Sequence, residues 1–195
     1  MYIFIVRHGQ TEWNKINRVQ GTSDIRLNET GIQQAKRTSH YFKDLKFDAL
    51  ITSPLQRTIE TGKYLTQYCT VGEIKTDRRI IEKHFGICEG MDIDERYKFY
   101  PNGHAPQEES YQIVKKRMKE AIVEYAQTYT HNILVVSHGS AMAALIKAID
   151  STYENTFLRF DNTSVTIINS KTLKVAALNL IDDAIQEWIQ KNIAQ

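Results

Sequence analysis

Two histidines in this chain stand in matching local settings. One lies in Arg7-His8-Gly9 and the other in Ser137-His138-Gly139, each after a short run rich in β-branched or aromatic residues. A third such run, Ala49–Thr52, is followed by Ser53-Pro54 and, one helical turn on, by Arg57. Parallel α/β sheets place ligands at the carboxyl ends of their strands. Read as strands, the three runs deliver two arginines and two histidines to one edge. That set suits a phosphoryl group. Two guanidiniums can fork onto its oxygens, and Gly9 and Gly139 let backbone approach closely. A neutral imidazole can attack phosphorus and form a phosphohistidine, splitting one transfer into two easier steps. Helices expected to open near Pro54 and Ser140 offer free N–H groups and a dipole that favour an anion.

A positive frame neutralises charge as the leaving oxygen departs, so no metal is required in principle. Nor does the chain carry a run of ligand-spaced His, Asp and Glu, or a Walker glycine-lysine loop. A leaving alkoxide still needs a proton, and a partly desolvated carboxylic acid can supply it. Glu82, Glu89, Asp92 and Asp94 are the candidates, and the physical chemistry alone does not choose among them.

The elements that must position these groups alternate strand and helix. Tyr2–Val6 reads as a buried strand, followed by a polar loop to about Asn28. Asn28 or Thr30 caps a helix to about Leu45, with Ile32, Ala35, Ser39 and Phe42 on one stripe. Ala49–Thr52 is a strand, and Ser53-Pro54 reads as an N-cap with proline opening a helix to about Tyr68. Glu73–Thr76 is a third strand. Residues 77–106 read as irregular, broken by Gly86, Gly90 and Gly103. Glu108–Tyr129 is a long helix with Ile113, Met118, Ile122 and Tyr125 in phase. Ile133–Val136 is a buried strand, Ser140–Ile149 an apolar helix, Ser164–Asn169 and Lys174–Asn179 a hairpin, and Asp182–Asn192 a closing helix. This pattern predicts a three-layer α/β/α fold with a mostly parallel central sheet and an antiparallel edge.

Composition sets the frame. At 195 residues, with 42% hydrophobic and 25% charged, the chain reads as one globular domain spanning 1–195. A net charge of +2 gives no electrostatic case for a nucleic-acid or membrane partner. Two cysteines without a framework fit a reducing cytoplasm. No apolar run approaches the ~20 residues of a membrane span, and the early run Tyr2–Val6 is too short for a signal sequence.

The motifs themselves resemble those of the histidine phosphatase superfamily, the phosphoglycerate-mutase-like proteins. Arg7-His8-Gly9-Gln10-Thr11-Glu12-Trp13-Asn14 matches the pattern R-H-G-x-T-x-x-N. Gln20-Gly21, the segment Leu27 to Ala35, Ser53 to Gly62, Ile81 to Gly90 and Ser137-His138-Gly139 are similar to further family segments, in the same order. The resemblance spans residues 2 to about 149. It implies that His8 is the phosphorylated nucleophile and that Arg7, Arg57 and His138 hold the phosphoryl group. By the same resemblance Asn14 and Gln20 complete the pocket, with Gly21 and Gly139 beside it. Glu82 becomes the proton donor and then the base that activates water. No cofactor is implied, and the partner is a small phosphomonoester; relatives include monomers and homodimers.

Mutases of the family are longer and carry an arginine pair in an insertion that Met91–Gln107 replaces here, with Arg96 its sole arginine. Their N-K-A-E segment aligns with Asp92-Ile93-Asp94-Glu95, so a phosphoglycerate-binding lysine becomes Ile93. These departures favour the small bacterial broad-specificity and α-ribazole phosphatases. The alternatives are a cofactor-dependent phosphoglycerate mutase and a phospho-ligand binding protein without catalysis. Among the remaining residues, His84 lies in the substrate-side loop and is a candidate contact. Glu89 reads as structural, and Lys115-Lys116-Arg117 as the wet face of a helix. Tyr97, Phe99 and Tyr100 read as an apolar lid or a dimer contact.

Overall fold

Tyr2–Arg7 forms strand β1, whose inner residues are all buried because both faces of the strand are covered. The computed structural model describes residues 1–101 and 104–193; Gly103, read above as a breaker, lies outside them. The other strands are β2 (Lys46–Thr52), β3 (Thr70–Thr76), β4 (Ile133–Ser137), β5 (Val165–Asn169) and β6 (Lys174–Leu180). They make one sheet in the order β3-β2-β4-β1-β5-β6. The first four are parallel, and β5 and β6 add an antiparallel edge beside β1. The helices are α1 (Glu12–Lys15), α2 (Glu29–His40), α3 (Gln56–Leu65), α4 (Ile93–Phe99), α5 (Tyr111–Thr128), α6 (Gly139–Ile149) and α7 (Asp183–Asn192).

Successive strand side chains point to opposite faces, and that alternation divides the core in two. Ile3 and Ile5 of β1, Ala49 and Ile51 of β2, and Ile133 and Val135 of β4 pack with residues of α5 and α6. Phe4, Val6, Leu50, Leu134 and Val136 face the other way, onto Phe42, Leu65 and Ile185. Each fully buried side chain of this size contributes about 1.5–3 kcal/mol of transfer free energy. The three-layer α/β/α expectation therefore holds.

Several elements differ from the sequence reading. The stretch 93–99 is a helix, α4, capped by Asp92, whose carboxylate accepts from the N–H groups of Asp94 and Glu95. The polar loop after β1 holds the short helix α1, closed by a reciprocal Thr11–Asn14 capping box. Helix α3 starts at Gln56 and not at Pro54: Leu55 takes the cap position without a side-chain bond, while Ser53 Oγ faces His138 at 2.8 Å and accepts only a long bond, 3.4 Å, from the Leu55 N–H. Helix α2 stops at His40, five residues short of Leu45. In α5, Ile113 is 56% exposed and Val114 takes the core position.

Candidate active site

Strands β1, β2 and β4 end side by side. The parallel register that pairs Arg7 with Ser137 and Thr52 with Val136 sets Arg7-His8, Ser53 and His138 at one sheet edge. The backbone N–H of His8 donates to the Ser137 carbonyl (3.0 Å), so the first motif is tied directly to the second. The two imidazole centroids stand 5.2 Å apart.

His8 is oriented by its own neighbour. Its Nδ1 lies 2.7 Å from the Gly9 carbonyl oxygen, which can only accept, so Nδ1 carries the proton and Nε2 keeps a lone pair. Burial first, then the charges of Arg57 and Arg7, hold its pKa well below the usual 6.5. The ring is therefore neutral at neutral pH, the state a nucleophile needs. Gly9 must be glycine: a Cβ there meets the Gly31 carbonyl oxygen at 2.5 Å, and its N–H donates to Thr61 Oγ1 at 3.0 Å. Asn162, on the loop before β5, donates to the His8 carbonyl at 2.9 Å.

Arg57 projects from the first turn of α3 and is fully buried. Its Nη2 donates to the Gly21 carbonyl (2.7 Å) and Nη1 to that of Ser23 (2.8 Å). Gln20, with its amide nitrogen donating to Thr11 Oγ1, turns its oxygen to Arg57 Nε and Nη1, each at 3.1 Å. Arg57 Nε also donates to His138 Nδ1 at 3.2 Å. His138 therefore carries its proton on Nε2, which donates to Ser53 Oγ at 2.8 Å. Desolvation lowers the Arg57 pKa to about 10, still cationic at neutral pH. Burial, then Arg57, also holds His138 neutral. Both His138 nitrogens are engaged by protein groups, so contact with a phosphoryl oxygen requires Nε2–H to exchange Ser53 for it. Arg7 donates from Nη1 to the Phe160 carbonyl, while its Nε is buried with no partner among the described residues. An unsatisfied guanidinium donor beside an imidazole is a group prepared for an anion.

Glu82 sits at the N-terminus of α6. Its carboxylate accepts from the N–H groups of Lys83 (2.8 Å), Ser140 (3.1 Å) and Ala141 (2.8 Å). This alters the expectation for the helix starts. The N–H groups at the start of α6 hold the protein's own carboxylate, and at α3 the Gln56 N–H is taken by Asp24 at 2.7 Å. The positive frame comes from the arginines instead. Burial raises the Glu82 pKa above the usual carboxylate value, against those hydrogen bonds and Arg57, which lower it. Of the four acids left open by physical reasoning, only Glu82 lines the cavity. Glu89 instead clamps the 20s loop, accepting from the N–H groups of Thr22 and Ser23 at 2.8 Å each.

The cavity measures about 650 Å³ and is lined by Arg7, His8, Asn14, Gln20, Glu82 and Gly139, among others. Asn14 Oδ1 already accepts from the Thr11 N–H and lies 3.4 Å from Asn162 Nδ2, which leaves its own amide nitrogen as the donor for a ligand. Gly21 is beside the site as expected, but for packing: a Cβ there meets Glu89 Oε1 at 2.2 Å and the Lys83 carbonyl oxygen at 2.7 Å. His84 is not brought to the cavity. It is exposed, and its Nδ1 lies 3.1 Å from both the Gln107 carbonyl and the Gly86 N–H. Tyr97 reaches the cavity rim, whereas Phe99 is 62% exposed away from it.

Arg117 departs from the expected wet helix face. It pairs with Glu109 (2.8 Å) and donates to the carbonyls of Arg79, Ile81 and Glu82, fixing the segment that carries Glu82. Ser53, Thr61 and Asn162 are further positioning residues the sequence reading missed. Among the described residues there is no group of three or more His, Cys, Asp or Glu placed to hold a metal ion, and no helix is long and apolar enough to cross a membrane.

Two expected outcomes follow from this geometry. Arg57→Ala should lower kcat/KM about 100-fold or more, roughly 3 kcal/mol of transition-state stabilisation. It should also lower thermal stability, since the Gly21 and Ser23 carbonyls lose their donor; Arg57→Lys, which keeps the charge but not the fork, should remain impaired. Gly21→Ala should destabilise by about 1–3 kcal/mol in urea denaturation, because the new methyl displaces the Glu89 clamp and with it the loop that holds Arg57.

A buried histidine with a free Nε2, two guanidiniums and a carboxyl whose pKa burial raises stand together at the carboxyl edge of a parallel sheet, a set of groups suited to phosphoryl transfer. The family model of the histidine phosphatase superfamily (branch 1) matches residues 3–183, and the chain belongs to that superfamily. It is 36% identical over 148 residues to the uncharacterized phosphatase PhoE of Bacillus subtilis, covering 75% of this chain and 76% of that one. It is 31% identical over 183 residues to the protein named probable phosphoglycerate mutase GpmB in Proteus mirabilis, covering 87% and 85%. Among solved structures, phosphoserine phosphatase from Entamoeba histolytica in complex with 3-phosphoglyceric acid superposes with a TM-score of 0.80 at 25% identity, over 94% of this chain and 98% of that one. The relatives thus include proteins named as phosphatases and proteins named as mutases.

Proposed function

We propose that this protein is a metal-independent phosphomonoesterase that acts on small phosphorylated metabolites through a phosphohistidine at His8. One observation carries the reading: the Gly9 carbonyl fixes the His8 proton on Nδ1, which leaves the Nε2 lone pair free beside two arginines. In the first step Nε2 attacks phosphorus and the P–O bond to the leaving group breaks. The Glu82 carboxyl proton passes to the departing oxygen. Arg7 and Arg57 neutralise the charge that spreads over the phosphoryl oxygens. In the second step the Glu82 carboxylate takes a proton from water, the water oxygen attacks phosphorus, and the N–P bond breaks to release inorganic phosphate.

Supporting hydrolysis over transfer, Ile93 rather than a lysine lines the cavity where the mutase resemblance calls for a phosphoglycerate contact. The resemblance to GpmB proteins supports a second reading, a phosphoglycerate mutase primed by a bisphosphoglycerate. The two are separated by incubating the enzyme with 3-phosphoglycerate in excess EDTA, with and without that primer. Phosphate release independent of primer supports the phosphatase; primer-dependent isomerisation that outpaces phosphate release would replace it with the mutase.

A further inference from the structure

The cavity is charged out of proportion to the rest of the chain. The protein carries a net +2, yet among the described residues Arg7, Arg18, Arg96, Lys147 and Arg159 line this one space against a single lining carboxylate, Glu82, with Arg57 buried behind it. Arg7 and Arg57 account for the phosphoryl group. Arg18 donates to the Gly90 carbonyl and Arg96 to Glu108. Lys147 and Arg159 form no side-chain hydrogen bond or ion pair among the described residues; Glu154, whose carboxylate feels Lys147, is bonded to Lys115 at 2.7 Å. Unpaired cations on a concave wall focus a positive potential on whatever enters.

The placement of Lys147 gives a length. Gly139, Ala143 and Lys147 recur at the four-residue spacing that shares one helix face, and all three line the cavity along α6. Gly139 lies at the His8 end. Eight residues at 1.5 Å each, with the lysine side chain leaning back toward the helix N-terminus, put the ammonium on the order of 10 Å from the phosphoryl position. Between the ends the wall is small and apolar at Ala143, and Tyr97 and Phe157, 54% and 85% exposed, offer flat aromatic surface.

We propose, building on the phosphomonoesterase reading, that the preferred substrate carries a second anionic group about 10 Å from its phosphoryl group, on a flat or apolar body, and that Lys147 binds that second anion. It is a specificity residue and touches none of the reacting atoms.

The test uses a matched pair of non-hydrolysable probes, (biphenyl-4-yl)methylphosphonate and its 4′-carboxylate, with binding measured by calorimetry. The wild type should bind the carboxylated probe about tenfold more tightly. The Lys147→Gln variant should lose that preference, bind the plain phosphonate as the wild type does, and hydrolyse p-nitrophenyl phosphate at an unchanged rate. In the wild type the preference should also shrink as salt is raised. Equal affinities in the wild type, or a preference that survives the substitution, overturn the assignment. Because the readout is binding, it decides this point even if p-nitrophenyl phosphate is not turned over, a result that would count against the phosphatase reading instead.

Discussion

Replacing His8 by alanine is expected to eliminate turnover, with kcat falling about 10⁴-fold or more for every ester tested. The expectation rests on uniqueness of position. His138, the other imidazole at the site, has Nδ1 engaged by Arg57 and Nε2 engaged by Ser53, so it offers no free lone pair to phosphorus. His8→Ala should still bind inorganic phosphate or vanadate, because Arg7, Arg57 and Asn14 remain. A variant that binds but does not turn over separates loss of the nucleophile from loss of the fold. Residual activity within tenfold of wild type would remove His8 from the nucleophile's role.

The second large effect is expected at Glu82. Glu82→Gln should slow hydrolysis of alkyl phosphates about 10²–10⁴-fold and hydrolysis of p-nitrophenyl phosphate far less, since p-nitrophenolate leaves without help. Equal losses on both esters would take Glu82 out of the acid role. The variant needs a thermal control: the Gln amide nitrogen cannot accept from the Ser140 N–H, so the start of α6 loses a bond it has with the carboxylate. The pH profile follows from the same groups. Desolvation raises the Glu82 pKa, so the protonated acid is present below that value and lost as pH rises through it. Desolvation lowers the His8 pKa, so the neutral nucleophile survives below pH 6.5 and is lost only as pH falls through the depressed value. For alkyl phosphates kcat/KM should therefore fall as pH rises through the raised Glu82 value and hold on the acid side below pH 6.5, and Glu82→Gln should flatten the alkaline limb.

Much of the site was legible because its residues terminate strongly patterned elements. The apolar runs of β1, β2 and β4 end where Arg7-His8, Ser53 and Ser137-His138 begin, so the chemistry and the elements announced each other. What escaped had no hydrophobic period to reveal it. Helix α4 is one short stretch with Ile93 and Phe99 as its apolar ends; its signal was the Asp92 cap with Asp94 and Glu95 in the first turn and Arg96 and Lys98 in the last. Strand β3 is an edge with little burial, so no alternation marked its first three residues. Ser53 Oγ keeps a long local bond from the Leu55 N–H but makes its shorter one to His138, a tertiary bond that local pattern cannot show. Arg117 looked exposed because its partners, the carbonyls of Arg79, Ile81 and Glu82, lie some 35 residues earlier. The rim residues Phe157 and Arg159 belong to an irregular segment that only the return into β5 brings over the site.

The central claim is a covalent phosphoryl group on His8. Its most direct test is to mix the enzyme with p-nitrophenyl phosphate in excess EDTA, quench within the first turnovers into alkali, and map the modified peptide by mass spectrometry. An acid-labile, alkali-stable phosphoryl group is expected on His8, formed as fast as p-nitrophenolate appears and absent from His8→Ala. Hydrolysis at full rate with His8 unmodified, or a phosphoryl group carried by another residue, would contradict it.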